Sequence, residues 1–324
     1  MRICVYGAGA IGGHLATRLA RGGAEVSIVA RGAQLAAVRA HGLRIQAPDD
    51  EFTARVAASD DPATLGRQDA VIVTVKAPAL PSVAAGIAPL LGPGTPVAFV
   101  MNGIPWWYFH AHGGALEGRR LPAVDPGDAV WNAVGPAQAI GGVVYSACTV
   151  ISPGVIQVAN RRSRLVLGEP DRSASPRIEA IAAPLRAAGF EVEASTDIRT
   201  AIWAKLLTNL ASGPLVVLAR AAPREVLAEP ACVAASRAVF AEGLAVAAAL
   251  GCRVVMDIDK QINALQAMTH RPSILQDLQL GRPMEVAGIL DGALELARLA
   301  GVSTPVLAML VELTRVRARE AGLY

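Results

Sequence analysis

Lys205 and Asn209 stand four residues apart in Trp203-Ala-Lys205-Leu-Leu-Thr-Asn209, so a helix puts both on one face while Leu206, Leu207 and Leu210 pack elsewhere. A lysine as proton donor and an amide as anchor suit a carbonyl on its way to an alkoxide, because hydride addition leaves negative charge on oxygen that must be stabilised and protonated. The same spacing also fits a surface lysine snorkelling beside a neighbouring amide. Lys76 and Asn102 each close an apolar run, residues 70–75 and 96–101. In an open α/β sheet, ligands gather beyond the carboxyl ends of such strands. Lys76 ahead of Pro78 equally marks a strand end, and Asn102-Gly103 is equally a good turn.

These groups need a frame, and the first thirty residues supply its clearest part. A short run, Ile3-Cys4-Val5-Tyr6, leads into Gly7-Ala8-Gly9-Ala10-Ile11-Gly12. A helical pattern with Ile11, Leu15 and Leu19 on one face follows, ends at Gly22-Gly23 and gives way to a second strand at 25–29. Strand, glycine turn, helix and strand in that order is the context in which G-x-G-x-x-G reads as a dinucleotide site, with the pyrophosphate on backbone N–H groups at a helix N-terminus. After the second strand the chain carries Arg31 in place of the Asp or Glu that accepts from a ribose 2′-hydroxyl. An arginine there can pair with a 2′-phosphate, which favours NADPH over NADH. The alternative is an exposed loop arginine.

The runs at 70–75 and 96–101 are almost wholly apolar, Thr74 aside, as inner strands of a parallel sheet are. Later runs at 142–151, 155–158 and 164–167 are expected to be antiparallel additions, with Arg161, Arg162 and Arg164 on a solvated edge that discourages pairing. From Asp197, a good N-cap, helices are expected over 198–210, 223–250, 257–267, 273–280, 283–300 and 305–321. The expected fold is α/β, with a Rossmann-type dinucleotide-binding domain at 1–194 and an all-helical domain at 195–324. The active site is expected in the cleft between them. Ser273 with Gln276 is a capping-box pattern, and Glu285 follows Pro283 in what reads as the first turn of a helix, where a carboxylate favours the dipole.

Composition narrows the classes further. The 324 residues are 53% hydrophobic but only 4% aromatic, which excludes disorder and argues against a base-stacking surface. A formal charge of +3, dispersed along the chain, implies no nucleic-acid partner. Cys4, Cys148, Cys232 and Cys252 lie far apart without a Cys-x-x-Cys pair, so neither a zinc site nor a disulfide framework is expected. The longest nearly apolar stretch, residues 244–256, is broken by Gly251 and Arg253 and falls short of the ~20 residues of a membrane span. The N-terminus has no separate apolar region and cleavage site, so a cytoplasmic location is expected.

Taken together, residues 7–12, Arg31, Val75-Lys76, Asn102-Gly103, Lys205 with Asn209, Pro214-Leu215, and Ser273 to Asp277 followed by Glu285 resemble the ketopantoate reductase family nearly end to end. The resemblance implies NADPH as cofactor, ketopantoate as the small-molecule substrate and D-pantoate as product. It makes Lys205 the general acid, puts Lys76 and Asn102 at the cofactor, and makes Asn102, Asn209, Ser273 and Glu285 substrate-binding residues. A homodimer is compatible with the family, although no residue here establishes one. Two departures stand out. Gly213 occupies the place, one turn beyond Asn209, where the family commonly carries a second asparagine. The segment from Pro105 through Trp131, with Trp106, Trp107, Tyr108, Phe109 and His110, is longer and more aromatic than expected. It is readable as a lid or wall for a bulkier 2-oxo acid, or as a packed excursion or dimer contact. A branched or aromatic 2-oxo acid is therefore the alternative substrate. A sensor that holds NADPH without turnover is the rival from another class, and the retained Lys205 counts against it.

Overall fold

The computed structural model describes residues 1–48 and 50–324. Contacts divide the chain into two compact units. The first comprises Met1–Met101, Pro105–Arg120 and Gly127–Ile198, and the second Asn102–Ile104, Leu121–Pro126 and Arg199–Tyr324. Two short pieces from within the expected first domain thus belong to the second unit.

The first unit opens with β1 (Arg2–Tyr6), α1 (Ala10–Arg21), β2 (Glu25–Val29) and α2 (Gly32–His41). The strands β3 (Leu43–Ala47), β4 (Asp50–Ala54), β5 (Ala57–Ser59) and β6 (Ala70–Val73) follow, then α3 (Leu80–Gly86) and β7 (Val97–Val100). It closes with α4 (Ala129–Val134), β8 (Ala139–Tyr145), β9 (Cys148–Ser152), β10 (Val155–Val158), β11 (Arg164–Gly168), α5 (Pro176–Ala187) and β12 (Glu191–Ala194). Eight strands form the main sheet in the order β12-β11-β8-β7-β6-β1-β2-β5. From β5 to β8 every pairing is parallel, and β11 joins antiparallel to β8. The central strands β6 and β7 are buried at every residue, which is why they carry no polar alternation.

The strands after residue 139 behave differently from the expected row of antiparallel additions. β8 is parallel to β7, while β9 and β10 form a hairpin in a separate sheet of order β4-β3-β10-β9. β11 is not an edge either, because β12 covers it in parallel. Arg164 and Arg162 instead reach across to Glu193 and Glu191 and tie that pairing. The Trp-rich segment is interior packing: Trp107, Tyr108 and Phe109 are fully buried and Trp106 is 2% exposed. Trp106 meets Phe99 and Trp131 edge-on at 5.3 and 5.8 Å, and Arg120 lies over Trp131 at 3.2 Å. Rings held this way cannot swing as a lid.

The second unit is helical: α6 (Ile198–Ala219), α7 (Pro223–Val226), α8 (Pro230–Ala249), α9 (Ile258–Gln266), α10 (Ser273–Leu280), a π-helical turn (Val286–Asp291), α11 (Gly292–Leu299) and α12 (Pro305–Glu320). α6 runs through Pro214, which deletes one backbone hydrogen bond, because residues 210–217 are buried on all sides and packing holds the turn. The helix expected at 223–250 is two, since Pro230 starts α8 in its first turn. α6 and α8 are long and apolar enough to cross a membrane, contrary to the expectation from the 244–256 stretch; core helices pass the same test, and 67% of the apolar window of α6 is buried.

Candidate active site

In the first unit, β1 delivers the chain to Gly7, whose φ of +115° suits glycine. Thr74 Oγ1 donates to the Gly7 carbonyl at 3.0 Å and fixes the turn against the end of β6. Gly9 is the N-cap of α1 and has no side chain to cap with, so the first-turn N–H groups face outward for an anion. A Cβ on Gly9 would meet nothing within 4 Å. At Gly12 a Cβ would lie 1.8 Å from the Gly7 carbonyl oxygen, so this glycine lets helix and turn touch. The three glycines thus divide their work, with Gly7 bending the chain, Gly9 leaving space and Gly12 permitting contact.

A cavity of about 270 Å³ opens over this turn. Gly7, Ala8, Gly9 and Arg31 line it, together with Tyr6, Gln34, Val75, Ala79 and Ser82. Ala10, Ile11 and Gly12 form the first turn of α1 beside it, and half-buried Lys76 lies between two lining residues, Val75 and Ala79. Arg31 is exposed at the end of β2 and hydrogen-bonds the Tyr6 hydroxyl. Burial raises the Tyr6 pKa and the Arg31 charge opposes the rise. Gln34 lines the same cavity and was missed by sequence reasoning. Its Nε2 donates to the Ala8 carbonyl at 2.8 Å and its Oε1 accepts from Gly154 N–H at 3.0 Å, joining the glycine turn to the loop between β9 and β10. Its place in the first turn of the helix after Arg31 was the available signal. A cradle that a Cβ would fill, uncapped helix N–H groups and an exposed arginine beyond β2 fit NADPH, whose pyrophosphate Gly7 to Gly9 would hold and whose 2′-phosphate Arg31 would meet.

In the second unit α6 carries Lys205, Asn209 and Gly213 at successive four-residue steps, so all three share a face. Lys205 is half-buried, and loss of water around its ammonium pushes its pKa down to about 8, while the charge of Glu285 pulls it back up. A lysine with a pKa near neutrality can give up a proton within a catalytic cycle. A second cavity, of about 30 Å³, brings Asn209, Ser212 and Gly213 together with Pro272, Ser273, Ile274 and Ile289. Ser273 does not cap its helix as the capping-box pattern suggested. Pro272 is the N-cap of α10, Ser273 is its exposed first residue, and Gln276 Nε2 donates instead to the Arg271 carbonyl at 2.7 Å. Glu285 likewise sits at the N-cap of the π turn rather than inside the first turn of an α-helix, and it is 5% exposed. Asn102 belongs to this unit through its neighbours: Ile104 N–H donates to the Gly288 carbonyl at 2.9 Å, and Gly103 packs so closely that a Cβ would lie 2.3 Å from the same oxygen.

A parallel sheet with a glycine-turn cavity at its carboxyl edge, accompanied by a helical unit with a low-pKa lysine, defines a dinucleotide-dependent oxidoreductase. The comparisons with known proteins narrow the class. The family model described as Ketopantoate reductase PanE/ApbA matches residues 3–172, and Ketopantoate reductase PanE/ApbA C terminal matches 197–318. The 2-dehydropantoate 2-reductase of Mesorhizobium japonicum is 42% identical over 326 residues, covering all of both chains. A crystal structure of a candidate ketopantoate reductase from Ralstonia solanacearum MolK2 superposes with a TM-score of 0.93 at 43% identity, over 100% of this chain and 99% of that one. A D-mandelate dehydrogenase with NADH and anilino(oxo)acetate shares the fold at 20% identity and a TM-score of 0.83, over all of both chains. The chain belongs to the ketopantoate reductase family.

Proposed function

We propose that this protein reduces 2-dehydropantoate to D-pantoate with NADPH, with Lys205 as the general acid. The observation that carries the reading is the Lys205 ammonium, held on one helix face with Asn209 and set near neutrality by burial against the charge of Glu285. NADPH, when bound, supplies the hydride to the carbonyl carbon. Lys205 protonates the oxygen on which charge develops, and its positive charge stabilises that oxygen beforehand. Asn209, Ser273 and Glu285 offer hydrogen-bonding groups to a hydroxylated 2-oxo acid, and Asn102 a further amide. Lys76, beyond β6, offers a positive charge to the cofactor or the substrate carboxylate. The four cysteines, none of them joined in a disulfide, suit a reducing cytoplasm.

A second reading keeps the mechanism and changes the acid. Gly213 leaves space where a side chain would fit, since a Cβ there would meet only Ile274 Cγ2, at 3.7 Å. A site lacking one polar contact discriminates less against analogues lacking its partner group. The deciding assay follows NADPH oxidation by absorbance with ketopantoate beside branched and aromatic 2-oxo acids. Ketopantoate is expected to have the highest kcat/KM; a preference of ten-fold or more for another acid would move the function to that acid, and no turnover with any of them would support the sensor.

A further inference from the structure

Glu285 and Ile289 enter the site on a π-helical turn, Val286–Asp291, a winding that is rare in proteins and recurs at functional sites. Were it to rewind as an α-helix, residues on one side would rotate by about 100° against those on the other. Glu285 and Ile289 could not then both keep their places. The turn is therefore only as well defined as the contacts that hold it from outside.

Those contacts come at its two flanks and its middle. Before the turn, Met284 N–H donates to the Leu323 carbonyl at 2.9 Å, and in the middle the Gly288 carbonyl accepts from Ile104 N–H. At the end stands Asp291, a carboxylate 7% exposed. A buried carboxylate is costly unless its oxygens are paired, and here both are. Arg315 Nε on α12 donates to Oδ1 at 2.7 Å, and the Tyr324 hydroxyl donates to Oδ2 at 2.7 Å. Adjacent residues, Leu323 and Tyr324, thus grip opposite flanks of one turn. Neither Arg315 nor Tyr324 lines the cavity beside Asn209.

We propose that Tyr324 and Arg315 are positioning residues of the reductase site, which hold Asp291 and so keep the π turn in the winding that presents Glu285 toward Lys205 and Ile289 toward Asn209. The inference rests on the reading of Lys205 and Glu285 as site residues, and its test separates the two. Tyr324→Phe removes one hydroxyl and keeps the ring over Arg319; Arg315→Met removes the other tie. In Tyr324→Phe, KM for the preferred 2-oxo acid is expected to rise about five-fold with NADPH affinity unchanged, beside a fall of a few degrees in melting temperature from the unpaired Asp291 oxygen. The alkaline limb of the pH profile should move to lower pH as Glu285 withdraws from Lys205. Amides 286–291 should exchange faster in both variants while those of α8 do not. Unchanged exchange and an unmoved limb would overturn the proposal, as would an equal loss of NADPH affinity. If the native protein turned over no 2-oxo acid, the functional reading alone would fall, and the exchange measurement would still decide the tie.

Discussion

Lys205 shows how burial and one neighbouring charge can set the pKa of a common residue to about 8. Its activity and its stability contribution respond to pH with opposite signs. As the proposed proton donor it must be charged, so kcat/KM is expected to be level below its pKa of about 8 and to fall about ten-fold per pH unit above it. In stability the sign reverses: between about 8 and the ordinary 10.5 the unfolded chain binds the proton and the folded one does not, so this group's contribution rises with pH across that window. Lys205→Met is accordingly expected to cut kcat about 100-fold or more without lowering the melting temperature. A variant that melted several degrees lower, or a native profile level to pH 10, would contradict the assignment. Little of this was legible in Trp203 to Asn209 beyond the shared face, because a snorkelling surface lysine has the same spacing and the burial and the charge of Glu285 come from distant parts of the chain.

Elements were legible where their determinants are local. The glycine turn between β1 and α1 carries its whole instruction within a few residues, and the division of work among its glycines can be tested there. Gly9→Ala is expected to fold with unchanged stability and to weaken NADPH about ten-fold, because the Cβ enters open space at the helix N-terminus. Gly12→Ala should lose about 1–3 kcal/mol of stability as well, by forcing helix and turn apart. Calorimetry with NADPH titration separates the two, and equal effects would refute the division. The second sheet was not legible, since β3 pairs with β10 roughly 110 residues away and non-local pairings leave no mark in either strand alone. The π turn was hidden for a related reason: its apolar spacing reads as an ordinary helix, and the ties that wind it more widely lie at Ile104, Arg315 and Tyr324. At Ser273 a good local pattern lost to its neighbour, because Pro272 already occupied the cap.

For the whole molecule, the expected division at 194/195 treats the chain as two consecutive lengths, whereas its compact units interleave. Residues 199–324 alone lack Ile104, whose N–H meets the Gly288 carbonyl, and Ala123, whose N–H donates to Glu295 Oε2 at 3.3 Å. That fragment, expressed by itself, is expected to lose the cooperative melting of the full chain. A sharp transition at the temperature of the intact protein would show that the two inserted pieces contribute nothing to it. Composition had indicated a large core of small aliphatic residues, and the run of aromatic rings at 106–109 belongs to that core rather than to a ligand surface.

The tie between Ile104 and Gly288 also sets an order of events at the ribosome. Its acceptor is synthesised roughly 180 residues after its donor, a delay of about ten to forty seconds at ordinary elongation rates. Through that interval the nascent sheet can form its glycine turn, while the piece bearing Asn102 has no partner to dock on. The nucleotide cradle is thus available while the second unit is still being made, and that unit can close around Ile104 only after Gly288 has been synthesised.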